Sequence, residues 1–378
     1  MNIKQRTEEL YPELVQIRRE LHQHPEPGFK EHWTSAYICG LLDKWGISYE
    51  FPVAGTGIVA VIQGQKPGAG NTVALRADMD ALPFRNDDGS IEAVHACGHD
   101  SHCAMVLAAA SELAGRVRRG TLKILFQPAE EGVRGAAGMA ASGILDDADY
   151  FLGAHIAMMC KSGEVSVNPY GFLCTTKLDV TYTGRPAHAG VEPNAGHNAM
   201  AAACNAFVQL LGIARHGSGM TRINVGQLVA GEGRNVIPSH AVMKMEVRGE
   251  TGEINQYMYD SAVNIIKGCA LSQNCEYTIE KMGEAVDLTN DPELVKVLTE
   301  AVGNVEGMTA RQDPMNFGGS EDATILARRV QAHGGKAAFF VLGADRPSGH
   351  HTAKFDIDEK ALDKGLAVWA NAIKLILK

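Results

Sequence analysis

Residues 122–132 read LKILFQPAEEG: an apolar run broken only by Lys123, then Gln127, a proline and two adjacent acids, Glu130 and Glu131. A short apolar run bounded by a turn signal predicts a buried strand over 122–126. Paired acids directly beyond such a strand are costly to bury without cations. They therefore suggest a site, although a solvated helix start is the blander reading. Working outward, GIVAVIQ (57–63), TVAL (72–75), YFLGA (150–154) and AAFFVLG (337–343) read as further strands. The apolar residues Leu10, Leu14, Ile17 and Leu21 recur every three or four positions, which predicts an amphipathic helix over 8–22. Residues 34–45 repeat that pattern, and a helix is expected over 101–117. Strands alternating with helices make this an α/β protein with a mixed, largely parallel sheet and flanking helices.

From about residue 173 the texture changes. KLDVTYTG (177–184) alternates as a half-exposed antiparallel strand should, and an Ala-rich helix is expected over 197–214. Strands over 222–228 and at AVMKMEV, a helix over 254–267 and a last strand complete the pattern of a small α+β sandwich. The economical division is one α/β domain, 1–173 and 287–378, interrupted by an inserted domain, 174–286.

The chain has 378 residues, with 35 basic against 44 acidic side chains and a net charge of −9. No basic surplus exists to displace counterions, so nucleic acid is not an expected partner. Eight scattered cysteines are too few for a disulfide scaffold and read as reduced thiols. No stretch of about 18 apolar residues occurs, so no membrane span is expected, and the polar N-terminal segment favours a cytoplasmic location.

Ligands of open α/β sheets bind beyond the carboxyl ends of the strands. Four clusters fall at such positions: HACGHDSHC (95–103), QPAEEG (127–132), GAH (153–155) and SGHH (348–351). Thiolate, imidazole and carboxylate together suit Zn²⁺, with Mn²⁺ or Co²⁺ possible. Taken singly, Cys97 reads as a small buried apolar residue and His155 as a core histidine; their joint placement at strand ends favours a metal site. A structural zinc would want CxxC-like pairs, which are absent, so an open catalytic site fits better. Adjacent acids can divide the work, one holding metal and the other serving as general base. His188, Asn235 and Arg248 of the inserted domain are polar candidates for substrate contact, with turn residues and a solvated strand end as the alternatives.

LRADMDALP, HACGHD, FQPAEEG, GAHI, GRPAHAG, GRNVIP, GSEDAT and GHHTAKFDIDE occur in that order across nearly the whole chain. On these motifs the sequence resembles the dinuclear-metal amidohydrolases related to aminoacylase, carboxypeptidase G, hippurate hydrolase and auxin-conjugate hydrolases. TTKLDVTYTG, AHAGVEPNAGHNA and GSEDATILARRVQ are similar to the branch typified by p-aminobenzoyl-glutamate hydrolase. The resemblance implies a zinc-exopeptidase-like catalytic domain and a lid domain that also forms a homodimer. It implies two divalent ions (zinc or manganese, cobalt possible) held by Cys97, His99, Glu131, His155 and His351, with Cys97 bridging. Aligning on Phe355 selects His351, with His350 the competitor. It implies Glu130 as general base, His188 polarising the scissile carbonyl, Asn235 and Arg248 as substrate contacts, and Asp80 orienting a ligand histidine. The implied activity is metal-dependent hydrolysis of N-acyl amino acids, p-aminobenzoyl-glutamate among them. Deacetylation of N-acetyl-amino acids or N-acetyl-diaminopimelate, a catalytically silent metal-binding relative and a cysteine hydrolase using Cys97 are the alternatives.

Overall fold

The apolar runs form strands where expected, and they line up in one sheet. A computed structural model describes residues 3–66, 70–86 and 88–377. Its eight-stranded sheet runs in the order Ser48–Val53, Gly57–Gln63, Thr121–Gln127, Thr72–Asp78, Tyr150–Ile156, Lys336–Leu342, Glu164–Ser166 and Thr309–Ala310. Thr72–Asp78 pairs in parallel with both Thr121–Gln127 and Tyr150–Ile156, and Tyr150–Ile156 pairs in parallel with Lys336–Leu342. The flanking strands Ser48–Val53 and Gly57–Gln63 are antiparallel, so the sheet is mixed. Both faces of the central strands are covered, which is why their sequences are nearly continuously apolar. Leu75, Ile124, Leu152 and Phe339 are fully buried. Each such side chain contributes about 1.5–3 kcal/mol.

The helix expected over 101–117 spans His99–Leu113 instead. It starts early because Gly98 turns the chain at φ 89°, and a Cβ there would meet Ile156 Cγ2 at 2.7 Å. It stops early because the chain turns at Gly115, at φ 67°. Every residue from 99 to 110 of this helix is buried, so it is held by packing rather than by an amphipathic stripe. The strand Ser48–Val53, the hairpin Leu82–Arg85/Ile91–Val94 and the helix Gly135–Ala141 were not anticipated; all are short, and the hairpin strands are mostly exposed.

Two units can be distinguished: Met1–Gly171, Leu288–Gly318 and Asp322–Lys378 in one, and Phe172–Asp287 with Gly319–Glu321 in the other. The second has an antiparallel four-stranded sheet in the order Thr221–Ala230, His240–Gly249, Cys174–Thr183 and Glu276–Ala285. Helices Ala199–Leu211 and Gly252–Ser272 pack on it around Val180, Tyr182, Met243, Met258 and Ile266. Asn198 and Thr251 cap them, accepting from the backbone N–H of Ala201 and Ile254. Among the described residues, no helix is long and apolar enough to cross a membrane.

Candidate metal centre

Parallel strands ending at one edge of the sheet deliver the polar residues to one place. Thr72–Asp78 brings Asp78 and Asp80, Thr121–Gln127 leads to Glu130 and Glu131, and Tyr150–Ile156 carries His155. Cys97 and His99 flank Gly98 at the start of His99–Leu113. His351 follows Lys336–Leu342 and is tied back by its backbone N–H to the Ala96 carbonyl at 2.8 Å.

Cys97 stands where two donor sets meet. Donor atoms of Cys97, His99 and His155 lie within 4.8 Å of one another, as do those of Cys97, Glu131 and His351. Cys97 Sγ is 3.4 Å from His155 Nε2 and 3.5 Å from His351 Nε2, and His351 Nε2 is 3.5 Å from Glu131 Oε1. Asp78, His99 and Glu130 form a third such set. His350 turns away: its Nε2 donates to the Ala157 carbonyl at 3.1 Å.

The tautomers follow from the partners. His155 Nδ1 donates to the Ile156 carbonyl (2.8 Å) and His99 Nδ1 to the Asp80 carbonyl (2.9 Å). A carbonyl can only accept, so both rings turn an Nε2 lone pair toward the cluster, the arrangement metal-binding histidines adopt. His99 Nε2 is buried and makes no hydrogen bond, which suits a cation. Asp80 also accepts the N–H of Glu130 on Oδ1 and that of Glu131 on Oδ2, both at 3.0 Å. One carboxylate thus aligns the whole acidic turn.

Burial dominates the electrostatics. It pushes the Cys97 thiol well above its ordinary value against the pull of His99, and holds His155 well below, with His102 and His350 adding to the effect. Burial works on His99 in the same direction, but Asp78 and Asp80 overrule it and raise the ring. Burial would also raise Asp78, yet Arg76, His99 and His102 hold it down.

Asp78, His102 and Arg76 were not singled out from the sequence. Fully buried Arg76 donates to Asp78 Oδ2 (2.9 Å) and Gln127 Oε1 (2.8 Å). His102 donates from Nδ1 to Asp78 Oδ1 (2.5 Å) and accepts the Ile156 N–H on Nε2 (2.9 Å). Its ring lies 5.6 Å from that of His99 and 4.8 Å from that of His155. The available signal was spacing: His99 and His102 are three apart on a helix and share a face.

His188, Asn235 and Arg248 all lie in the inserted unit. His188 and Asn235 are exposed and adjoin, with the Ala189 N–H donating to the Asn235 carbonyl at 2.9 Å. Arg248 is paired with Glu246 through two hydrogen bonds of 3.0 and 3.2 Å.

Residues 74–375 match the model of peptidase family M20/M25/M40. The chain belongs to that family. The membership carries the enzyme class expected from the motifs, a metal-dependent amidohydrolase. The chain is 44% identical to a p-aminobenzoyl-glutamate hydrolase homolog of Haemophilus influenzae, over 97% of this chain and 98% of that one. It is 37% identical to an indole-3-acetyl-aspartic acid hydrolase of Enterobacter agglomerans, over 94% and 93%. An aminobenzoyl-glutamate utilization protein of Klebsiella pneumoniae has a similar crystal structure, with a TM-score of 0.83 at 31% identity over 100% and 98% of the two chains. This likeness agrees with the expected mixed sheet and separate smaller unit of the family.

Proposed function

We propose that this protein hydrolyses the amide between an aromatic acyl group and an acidic amino acid, using two divalent ions. The observation that carries the reading is the pair of donor triads sharing Cys97: Cys97, His99 and His155 would hold one ion, and Cys97, Glu131 and His351 the other. Bound zinc or manganese, with cobalt as an alternative, supplies Lewis acidity at the scissile carbonyl and lowers the pKa of water toward about 7. The substrate class is supported by two relatives whose names specify aromatic acyl groups on glutamate and aspartate.

Glu130 serves as the base. Its carboxylate takes a proton from the attacking water and returns it to the leaving amine nitrogen as the amide C–N bond breaks. Asp80 keeps Glu130 and Glu131 in register through their backbone N–H groups. His188 steadies the negative charge developing on the carbonyl oxygen, and Asn235 and Arg248 serve the substrate's polar groups. Arg248 must share its guanidinium with Glu246 to do so. A homodimer formed through the inserted unit is supported by exposed Val208 and Leu211 on Ala199–Leu211 and by the edge strand Thr221–Ala230, with Val229 outward. Eight free thiols favour a cytoplasmic setting.

The test is turnover of p-aminobenzoyl-glutamate, indole-3-acetyl-aspartate and N-acetyl amino acids with added Mn²⁺ or Zn²⁺. Glu130→Ala is expected to lose about 10³-fold or more in kcat while binding the same number of ions. Near-normal turnover in that variant, or activity that survives a chelator, overturns the mechanism; the latter would instead favour Cys97 as a nucleophile.

A further inference from the structure

The turn that presents Glu130 is strained. Ala129 has φ 51° and Val133 φ 58°, the left-handed region that residues other than glycine disfavour. Such conformations persist where the surroundings over-determine them. Asp80 holds the N–H groups of residues 130 and 131, but not that of Ala129.

Glu31 holds that one. Its side chain is fully buried, with Oε1 accepting the Ala129 N–H at 2.9 Å and Oε2 accepting the Thr56 hydroxyl at 2.5 Å. Glu31 occupies the cap position of helix His32–Lys44, yet its side chain makes no capping bond there. Capping, the ordinary reason for a polar residue at that position, therefore does not explain it. Neighbouring residues grip the same turn. The Ala81 N–H donates to the Glu26 carbonyl at 2.8 Å, and the Arg134 guanidinium lies 5.3 Å from the centre of the Phe29 ring. Gly28 packs so closely that a Cβ there would come within 2.8 Å of Ala129.

We infer that Glu31 is a positioning residue for Glu130: by holding the Ala129 N–H it fixes the left-handed turn that aims the base. Three successive N–H groups, of residues 129, 130 and 131, are then held by two buried carboxylates, Glu31 and Asp80. A buried, unsatisfied N–H is costly, so removing the acceptor should release the turn. The inference rests on the proposed role of Glu130.

The experiment compares Glu31→Ala, Glu31→Gln and Glu130→Gln in the full chain. Glu31→Ala is expected to lower kcat by about 10–100-fold. KM and ion stoichiometry should stay at parental values. In metal-free protein, amide hydrogen exchange at residues 129–131 should quicken by about tenfold or more. Glu31→Gln retains an oxygen for the Ala129 N–H and should restore most of kcat. If Glu31→Ala does not fold, Glu31→Asp replaces it: one methylene shorter, it cannot reach both partners and should also slow turnover with ion binding intact. Parental kcat, unchanged exchange, or a loss that tracks ion loss and is not rescued by Gln overturns the inference. If Glu130→Gln remains active, the reading of the site fails instead; if Glu130→Gln is inactive while Glu31→Ala is not slowed, only the positioning role fails.

Discussion

Replacing Asp80 with Asn tests how the acidic turn is aligned. Both carboxylate oxygens accept a backbone N–H at 3.0 Å, one from Glu130 and one from Glu131. Asn offers one oxygen and turns an NH₂ group toward the second N–H, so one bond is lost and one buried donor is stranded. A hydrogen bond to a charged group contributes about 1.5–3 kcal/mol. At about 1.4 kcal/mol per tenfold, kcat/KM should fall by about 10–100-fold if the misalignment is felt in the transition state. Ion binding should change less, because His99 is also held by the Asp80 backbone carbonyl, which the substitution leaves in place. The assay is steady-state hydrolysis of p-aminobenzoyl-glutamate at saturating Mn²⁺, alongside ion stoichiometry and thermal melting. A folded Asp80→Asn variant whose kcat/KM stays within about threefold of the parent refutes the reasoning, since a loss of one charged hydrogen bond should exceed that.

Two further outcomes concern stability. Arg76→Met leaves Asp78 buried without its guanidinium partner, and should cost about 3–5 kcal/mol in urea unfolding; a loss below about 1 kcal/mol would show that the network relaxes without it. His95 is buried with neither ring nitrogen hydrogen-bonded, and burial lowers it from 6.5 to about 4. The unfolded chain therefore binds a proton that the folded chain refuses. Stability is highest above pH 6.5 and falls by about 3 kcal/mol as the pH drops toward 4. His95→Leu in metal-free protein should flatten that part of the stability–pH curve, and an unchanged slope would contradict the assignment.

Much of this protein is legible along the chain because its signals are local. The buried strand 122–126 and its acidic sequel, the change to alternating polarity near residue 173, and the histidines and cysteine at strand ends all follow from side-chain periodicity and the cost of burying charge. What the sequence could not supply was partnership across distance. Glu31 reads as an ordinary residue before a helix, and only folding sets its carboxylate against Ala129, 98 positions away. Whether His350 or His351 faces Cys97 was decided by a backbone bond to Ala96 and by the Ala157 carbonyl that occupies His350. Asp78 and His102 were invisible as a pair for the same reason. Residue type and spacing determine which elements form and which groups can bind metal; the three-dimensional packing of those elements determines which lone pairs remain pointed at the site, because every buried donor and acceptor must find a partner.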